Sequence, residues 1–175
     1  MTTGAQNNTE PQSNIETQSN IETQSNIETQ SNIETQSNAT ARLSRQIVIA
    51  AAITGSLGIA IGAFGAHGLE SLFNSRGYDA DFAAKRSDQF DVGVRYHLLQ
   101  SAMLLALGAL SMGSQRWRRW AMRLSLIGQT LFCGSLYLLV LTNTPKLGAI
   151  TPLGGICLIF SWLMLIPLCW KSGDE

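Results

Sequence analysis

The sequence lacks acidic side chains and lysine where it is most apolar. No aspartate, glutamate or lysine occurs in four apolar segments, at residues 47–66, 96–112, 124–141 and 151–170. Ion-coupled pumps usually need an ionisable group inside the membrane, so this absence argues against that class.

Motifs that carry catalysis or cofactor binding are also missing. The chain contains no GxSxG, no glycine-rich phosphate loop and no CxxC. Its cysteines, Cys133, Cys157 and Cys169, have no ligand spacing, and we interpret them as small apolar packing residues. A net charge of zero gives no indication of a nucleic-acid partner. We therefore predict no catalytic residues, no cofactor and no metal site, and a protein that is not an enzyme.

The apolar segments themselves are the main feature that is present. About 20 helical residues cross a hydrocarbon core of about 30 Å, and the first and last segments have that length. The middle two are shorter and need Trp, Tyr or Arg at their ends to reach the surface. The pattern predicts an all-α membrane protein with four transmembrane helices in a compact bundle, formed by residues 42–171 and embedded in the lipid bilayer.

Residues 1–41 have a different character. Residues 13–36 are four copies of SNIETQ, and the isoleucine of each copy moves around a helix instead of forming a stripe. Such a segment cannot bury enough surface to offset the entropy of ordering, so we predict a disordered polar tail. A hexapeptide β-helix is the alternative.

Charge pairs mark a further helix before the second apolar segment. Asp81 with Lys85, and Asp91 with Arg95, are acid-then-base pairs four residues apart. We predict an amphipathic interfacial helix at about residues 80–95 that continues into the second span. At the fourth span, we expect Thr151 to cap the helix.

Small residues recur at helical spacing in the apolar segments. They predict close helix packing, and the glycines assigned to it are Gly55, Gly58, Gly62, Gly154 and Gly155. The pattern fits packing within one chain as well as packing between copies in a homo-oligomer.

Basic residues predict the orientation. Seven flank the side that carries both termini and five flank the other side, and the group at residues 116–123 contains no acid. We predict that both termini lie in the cytoplasm.

Five polar residues form a candidate cluster in or beside the spans: His67, Tyr96, His97, Gln100 and Gln129. A hairpin of the first two spans is expected to place both histidines at the non-cytoplasmic interface. The simplest interpretation is interfacial hydrogen bonding; a His–Tyr–acid network and metal or proton chemistry are the alternatives. For the two glutamines we expect interhelical hydrogen bonds, with a polar path as the alternative.

Four motifs together resemble a known family. They are GAFGAH at 62–67, Tyr96-His97, GSLY at 134–137 and TPLGG at 151–155. The chain resembles, over about residues 43–170, the domain of unknown function 423 family, which includes the eukaryotic transmembrane protein 256 group. The resemblance implies a multi-pass protein of about four helices without an established activity, found in the bacterial cytoplasmic (inner) membrane and in some eukaryotes. His67, Tyr96 and His97 fall on its motif positions.

The function predicted from these observations is that of a multi-pass membrane protein acting as a non-enzymatic accessory or interaction component. It implies a membrane-protein partner or a homo-oligomer and no nucleic acid. The alternative is a small oligomeric transporter or channel for a small solute or ion.

Overall fold

The computed structural model describes residues 10–110 and 113–169, with side-chain surroundings from residue 17 onward. In this part of the chain every regular element is a helix, which confirms the all-α class. The elements are α1 (Glu10–Ser75), α2 (Ala80–Ala109), α3 (Gln115–Thr142), a 3₁₀ helix (Pro145–Ala149), α4 (Thr151–Leu163) and α5 (Ile166–Cys169).

The chain divides into two units between Thr40 and Ala41. In the first unit the predicted disorder is not confirmed, because α1 begins at Glu10 and includes the SNIETQ repeats; residues 1–9 lie outside the described part. Serine and threonine hydroxyls usually compete with helical bonding, but here they bond within the helix. The Thr23 hydroxyl, for example, donates to the Ser19 carbonyl at 2.7 Å.

The three repeat isoleucines whose surroundings are described are exposed. Ile21, Ile27 and Ile33 are 62%, 63% and 57% exposed, as their spread around a helix requires. The helix in this unit is therefore stabilised by local bonds and not by burial.

In the second unit, α1 and α2 form an antiparallel hairpin with a tight connection. Gly77 adopts a φ of 67°, a left-handed conformation that glycine takes readily. Asp79 then caps α2, because its side chain accepts a hydrogen bond from the Phe82 N–H at 2.8 Å. The hairpin thus turns within residues 76–79, directly before the charged half of α2.

Small residues on α1 bring the two helices close together. A β-carbon at Gly65 would lie 2.8 Å from the Phe90 ring, and one at Gly62 would lie 3.1 Å from the Val94 side chain. Gly55 faces Ser101 in the same way at 3.7 Å. The glycine stripe is therefore covered by α2 of the same chain.

α3 and α4 also pack antiparallel at glycines. A β-carbon at Gly154 would overlap the Phe132 backbone, and one at Gly128 would lie 2.9 Å from the Leu158 nitrogen. Gly155 is less crowded, with the Phe132 ring at 3.6 Å. Gly154 thus allows the closest approach of these two helices.

Two apolar clusters lie at different levels of this unit. The first combines residues near the start of α1's apolar segment with the end of α2: Leu43, Ile47, Ala51, Met103, Leu104, Leu107 and Ala121. The second lies toward the hairpin: Leu69, Phe73, Phe90, Cys133, Tyr137, Leu139 and Val140. Buried polar side chains lie between the two clusters, together with Leu158, which packs against Gly128.

The last helical segment differs from its prediction in two ways. α4 ends at Leu163 and α5 begins at Ile166, because Pro167 has no N–H and its ring would clash with the Leu163 carbonyl in a continuous helix. Thr151 is the first helical residue and not a cap; its hydroxyl lies 2.8 Å from the Ser135 hydroxyl instead.

Three described stretches are long and apolar enough to cross a membrane: Thr17–Ser75, Gln115–Thr142 and Pro145–Cys169. α2 is not among them, because charged residues occupy its first half and its apolar half is short. The predicted count of four spans is therefore not confirmed. Residues 111, 112 and 170, at the ends of two predicted spans, lie outside the described part.

Candidate functional site

The buried polar side chains between the two apolar clusters form the candidate site. We call them the polar layer, defined by residues from all four long helices: Thr54, His97, Gln100, Ser101, Gln129 and Ser161. Each of the five from α2, α3 and α4 is at most 7% exposed. Polar groups buried this deeply are destabilising unless they are hydrogen-bonded, so their partners decide what the layer does.

His97 is held between α1 and α3. Its Nδ1 lies 3.1 Å from the Tyr137 hydroxyl, and the two rings are stacked at 30°. On the other side of the ring, a β-carbon at Gly58 would lie 3.2 Å from the imidazole Cδ2. The remaining ring nitrogen, Nε2, is buried, and the ring also meets the backbone of Thr54 on α1.

Gln129 connects α3 to α2. Its Nε2 donates to the His97 carbonyl at 2.8 Å and to the Ser101 hydroxyl at 3.1 Å. Ser101 in turn donates to the Thr54 hydroxyl at 3.0 Å, which extends the connection to α1. The amide oxygen of Gln129, Oε1, is buried and has no partner among the described residues.

Gln100 makes a second connection, from α2 to α4. Its Nε2 donates to the Ser161 hydroxyl at 2.6 Å, and its Oε1 accepts a hydrogen bond from the Trp162 indole at 3.1 Å. Both glutamines therefore make the interhelical hydrogen bonds that their position inside apolar segments predicted. Together the two connections cross-link the four long helices.

The structure separates the two histidines, and this corrects the prediction that they share one interface. His97 lies opposite Gly58, whereas His67 is exposed and is nine residues further along α1, a rise of roughly 13 Å. The prediction placed residues 80–95 at the membrane interface, as an amphipathic helix that continues into the second span. In the structure this charged half of α2 pairs with the end of α1, so His97 lies at mid-helix.

Tyr96 also stays outside the layer. Its side chain is 46% exposed and its ring packs against Phe132 at 4.9 Å. Of the five predicted residues, His97, Gln100 and Gln129 meet in the layer, and His67 and Tyr96 do not.

Sequence reasoning missed Thr54, Ser101, Ser161 and Tyr137. Ser101 follows His97 by one helical turn, which is the signal that could have identified it. The other three come from different helices, so only the packing of those helices reveals them.

Arg118 is a further residue that the sequence did not single out. It is 0% exposed, and its Nη2 donates to the Leu107 carbonyl at 3.0 Å and to the Ser44 hydroxyl at 2.8 Å. Leu107 belongs to the last turn of α2, where carbonyls lack helical partners and favour a cation. Arg118 therefore joins the end of α2 to α1 and α3.

The chemistry available to the layer is neutral hydrogen bonding. Among the described residues no three His, Cys, Asp or Glu side chains are grouped as a metal site would need. Cys133 is buried and free, and none of the layer side chains is a carboxylate.

A cleft borders the layer between α1 and α3. We call it the α1–α3 cleft; its volume is about 220 Å³. His97 and Gln129 line it, together with mainly apolar side chains and with Gly134, where a β-carbon would have nothing within 4 Å. The polar layer is thus reachable from the side of the bundle.

Comparisons with known proteins give one family. A family model described as Protein of unknown function (DUF423) matches residues 61–155. The UPF0382 membrane protein YwdK of Bacillus subtilis is 37% identical over 127 residues, which cover 70% of this chain and 94% of the relative. The UPF0382 inner membrane protein YgdD of Escherichia coli is 30% identical over 124 residues, covering 70% and 88%. No solved structure gives a significant match.

Proposed function

This chain belongs to the DUF423 family of membrane proteins, and we propose that it is a four-span, non-enzymatic accessory or interaction component of the cytoplasmic membrane. One observation carries the proposal. The polar layer is used mainly for hydrogen bonds between the chain's own helices.

The continuity of the chain supports four spans. α1 and α3 run in the same direction, since Arg118 near the start of α3 meets Ser44, and Arg76 after α1 donates to the Leu141 carbonyl near the end of α3. If both cross the bilayer, the chain between them must return through it. Among the described residues, α2 is the only long element between Ser75 and Gln115, and we propose it as the returning span.

Both termini are proposed to be cytoplasmic. The basic residues on that side include Arg116, Arg119 and Arg123 after the second span, and cytoplasmic loops are enriched in such residues. Trp117 and Trp120 are 37% and 47% exposed and fit an aromatic belt at that interface. The name of the Escherichia coli relative, an inner membrane protein, supports the location.

The interaction role is supported by the outer surface of the spans. Ile53 and Ile59 on α1 and Ile159 on α4 are 57%, 66% and 61% exposed, while the glycines that could mediate helix association face inward. A partner or a second copy would therefore meet branched apolar side chains and not a glycine stripe.

Two experiments test the proposal. In a variant without native cysteines, single cysteines at Ser75 and Lys146 should react with an impermeant maleimide added outside the cell, and one at Gln115 should not. A photo-crosslinker at Ile53 or Ile159 should give one product of defined mass in cells, whereas the buried position Ala121 gives none. Equal labelling of Ser75 and Gln115 would contradict four spans, and absence of a defined crosslink from both exposed faces would contradict the interaction role.

A small oligomeric transporter or channel is the second candidate. It is favoured by the polar groups at mid-helix beside the α1–α3 cleft, where an isolated polar side chain in lipid is often functional. This function predicts flux of protons or small solutes into proteoliposomes, and it predicts that His97→Ala and Gln129→Ala each remove the flux. Lack of flux with the wild-type protein would rule out this candidate for the solutes used.

A further inference from the structure

The start of α3 carries positive charge that no nearby acidic residue in the sequence balances. Arg116, Arg118 and Arg119 lie among the first five residues of this helix, and its first turn has no acidic residue. The sequence contains no aspartate or glutamate at residues 35–69 or 92–173. Because a helix N-terminus already has a positive partial charge, three cations there are unfavourable unless an anion lies beside them.

Arg118 adds to this charge from inside the bundle. Its side chain is 0% exposed, and its Nη2 donates to two neutral groups, the Leu107 carbonyl and the Ser44 hydroxyl. The carbonyl end of α2 balances part of the charge, but Nε and Nη1 are buried and have no partner among the described residues. A buried charge is costly without a counter-ion and is weakly screened, so an anion at the neighbouring surface stabilises it.

An apolar cleft opens beside the same end of the bundle. We call it the α2–α4 cleft; its volume is about 260 Å³, and Met103 and Leu110 of the α2 side face Trp162 and Leu168 of the last helical segment across it. None of its lining side chains is charged. Leu110 and Trp162 are 57% and 43% exposed, so the cleft is open at the surface of the bundle. In the four-span arrangement proposed above, on which this inference rests, that surface faces lipid.

Two contacts join the cleft to the start of α3. Leu107 lines the cleft, and its carbonyl accepts the hydrogen bond from Arg118 at 3.0 Å. Gly113, two residues before α3, lies against Leu168, which also lines the cleft; a β-carbon at Gly113 would lie 2.8 Å from the Leu168 α-carbon. The apolar cleft therefore ends next to the positively charged start of α3.

An anionic phospholipid matches both parts of this surface. Its phosphate accepts charge-assisted hydrogen bonds from arginine and from helix N–H groups, and its acyl chain is an apolar occupant for the cleft. A free phosphate would leave the cleft unfilled, and a neutral apolar chain would leave the arginines unbalanced. The half-exposed Trp117 and Trp120 fit the membrane interface, which is the level of a lipid headgroup.

We infer that the α2–α4 cleft and the start of α3 bind one anionic phospholipid, with an acyl chain in the cleft and the phosphate beside Arg116 and Arg119. The site goes beyond the interaction role, which does not require a specific lipid.

Native mass spectrometry of the full-length protein tests this inference. The protein is released from nanodiscs that contain equal parts of dioleoyl phosphatidylglycerol and dioleoyl phosphatidylcholine, two lipids with the same acyl chains. We expect one retained phosphatidylglycerol per chain, favoured over phosphatidylcholine roughly tenfold because only its headgroup has a net negative charge. Equal retention of the two lipids would overturn the inference.

Charge variants separate this site from a general attraction of basic residues to anionic lipid. The double variant Arg116→Gln/Arg119→Gln should lose most of the retained phosphatidylglycerol. The matched double variant Arg42→Gln/Arg45→Gln removes the same charge from exposed positions on α1 and should retain the lipid. Equal losses in the two double variants would show only non-specific surface attraction and would contradict a site at α3.

Cleft variants test the position of the acyl chain. Ala106 lines the cleft, so Ala106→Phe fills it from α2 and should abolish retention. Leu105→Phe is the control, since Leu105 is 52% exposed and is not part of the cleft lining; this variant should retain lipid like the wild type. Undiminished retention by Ala106→Phe would refute the role of the cleft.

The chain's own carboxylates, Asp174 and Glu175, are the competing anions; they lie outside the described residues. If the wild type retained no phosphatidylglycerol and the double variant Asp174→Asn/Glu175→Gln did, these carboxylates and not a lipid would balance the arginines, against the inference. The cysteine-labelling experiment tests the four spans independently. A failed topology is therefore distinguishable from a failed lipid site.

Discussion

Gly58 of α1 lies directly against the imidazole of His97 on α2, and the missing side chain of one residue makes room for the ring of the other. A β-carbon at Gly58 would be 3.2 Å from Cδ2 of His97 and 2.9 Å from the Leu98 side chain. This pair sets the level at which α1 and α2 meet. It also places the imidazole at mid-helix, whereas the sequence predicted His97 at the membrane interface.

Replacing Gly58 by alanine should destabilise the protein. Leu98 can move its flexible end, but His97 is restrained by Tyr137, so we expect a loss of about 1 kcal/mol in the free energy of unfolding. Gly134→Ala is the matched control: its β-carbon meets open space, and alanine favours a helix over glycine by roughly 0.5–1 kcal/mol. Reversible unfolding in mixed micelles measures the free energy of unfolding of both variants. An unchanged free energy of unfolding for Gly58→Ala would disprove the close contact.

Removing the Tyr137 hydroxyl should cost the hydrogen bond to His97. For Tyr137→Phe we expect a loss of about 0.6 kcal/mol, the average for such bonds in membrane proteins. Tyr96→Phe serves as control, since the Tyr96 ring is half exposed and contacts Phe132 only through its ring face. In a double-mutant cycle with His97→Phe, the coupling energy should match the single loss; additive effects of the two substitutions would refute the bond.

Gln100→Leu should loosen the attachment of α4. The change removes the partner of both Ser161 and Trp162, so we expect a loss of about 1–2 kcal/mol. Trp162→Phe removes only the second of these bonds and should cost less. Both variants are compared by the rate of proteolytic cleavage in α4 and by the free energy of unfolding. Faster cleavage of α4 in Trp162→Phe than in Gln100→Leu would contradict the assigned roles.

Arg118→Ala should be the most destabilising change at an arginine. It leaves the Leu107 carbonyl without its cation and a cavity in its place, for which we expect a loss of roughly 2–3 kcal/mol. Arg119→Ala is the neighbouring control, since Arg119 is exposed and its hydrogen bond among the described residues is to Gln115 on its own helix. Similar unfolding free energies for the two variants would show that burial of Arg118 contributes nothing.

Hydropathy predicted three of the four apolar segments as stretches long and apolar enough to cross a membrane, because lipid requires long apolar helices. The register between helices was not predictable, because it depends on where the chain turns. His67 and His97 looked like neighbours until the turn at residues 76–79 aligned His97 with Gly58. The sequence predicted that Gln100 and Gln129 would each form interhelical hydrogen bonds, since buried amides need partners. It did not predict which residues those partners are.

The tail shows a different limit. Composition argues that a polar repeat cannot build a core, and the exposed Ile21, Ile27 and Ile33 agree. A lack of core does not exclude local helix, because threonine hydroxyls such as those of Thr29 and Thr35 bond to carbonyls one turn back.

The alternation of apolar, polar and apolar levels restricts how the helices can move. Sliding one helix along its neighbour by a single turn would bring Gln129 opposite apolar side chains such as Leu104 and would leave the Ser101 hydroxyl without its partner. Each such mismatch leaves a buried polar group without a hydrogen-bond partner. Sliding a helix along its axis is therefore energetically unfavourable. Rotation and tilting keep the levels matched. Any conformational change in this protein should therefore open or close the bundle sideways and not slide one helix along another.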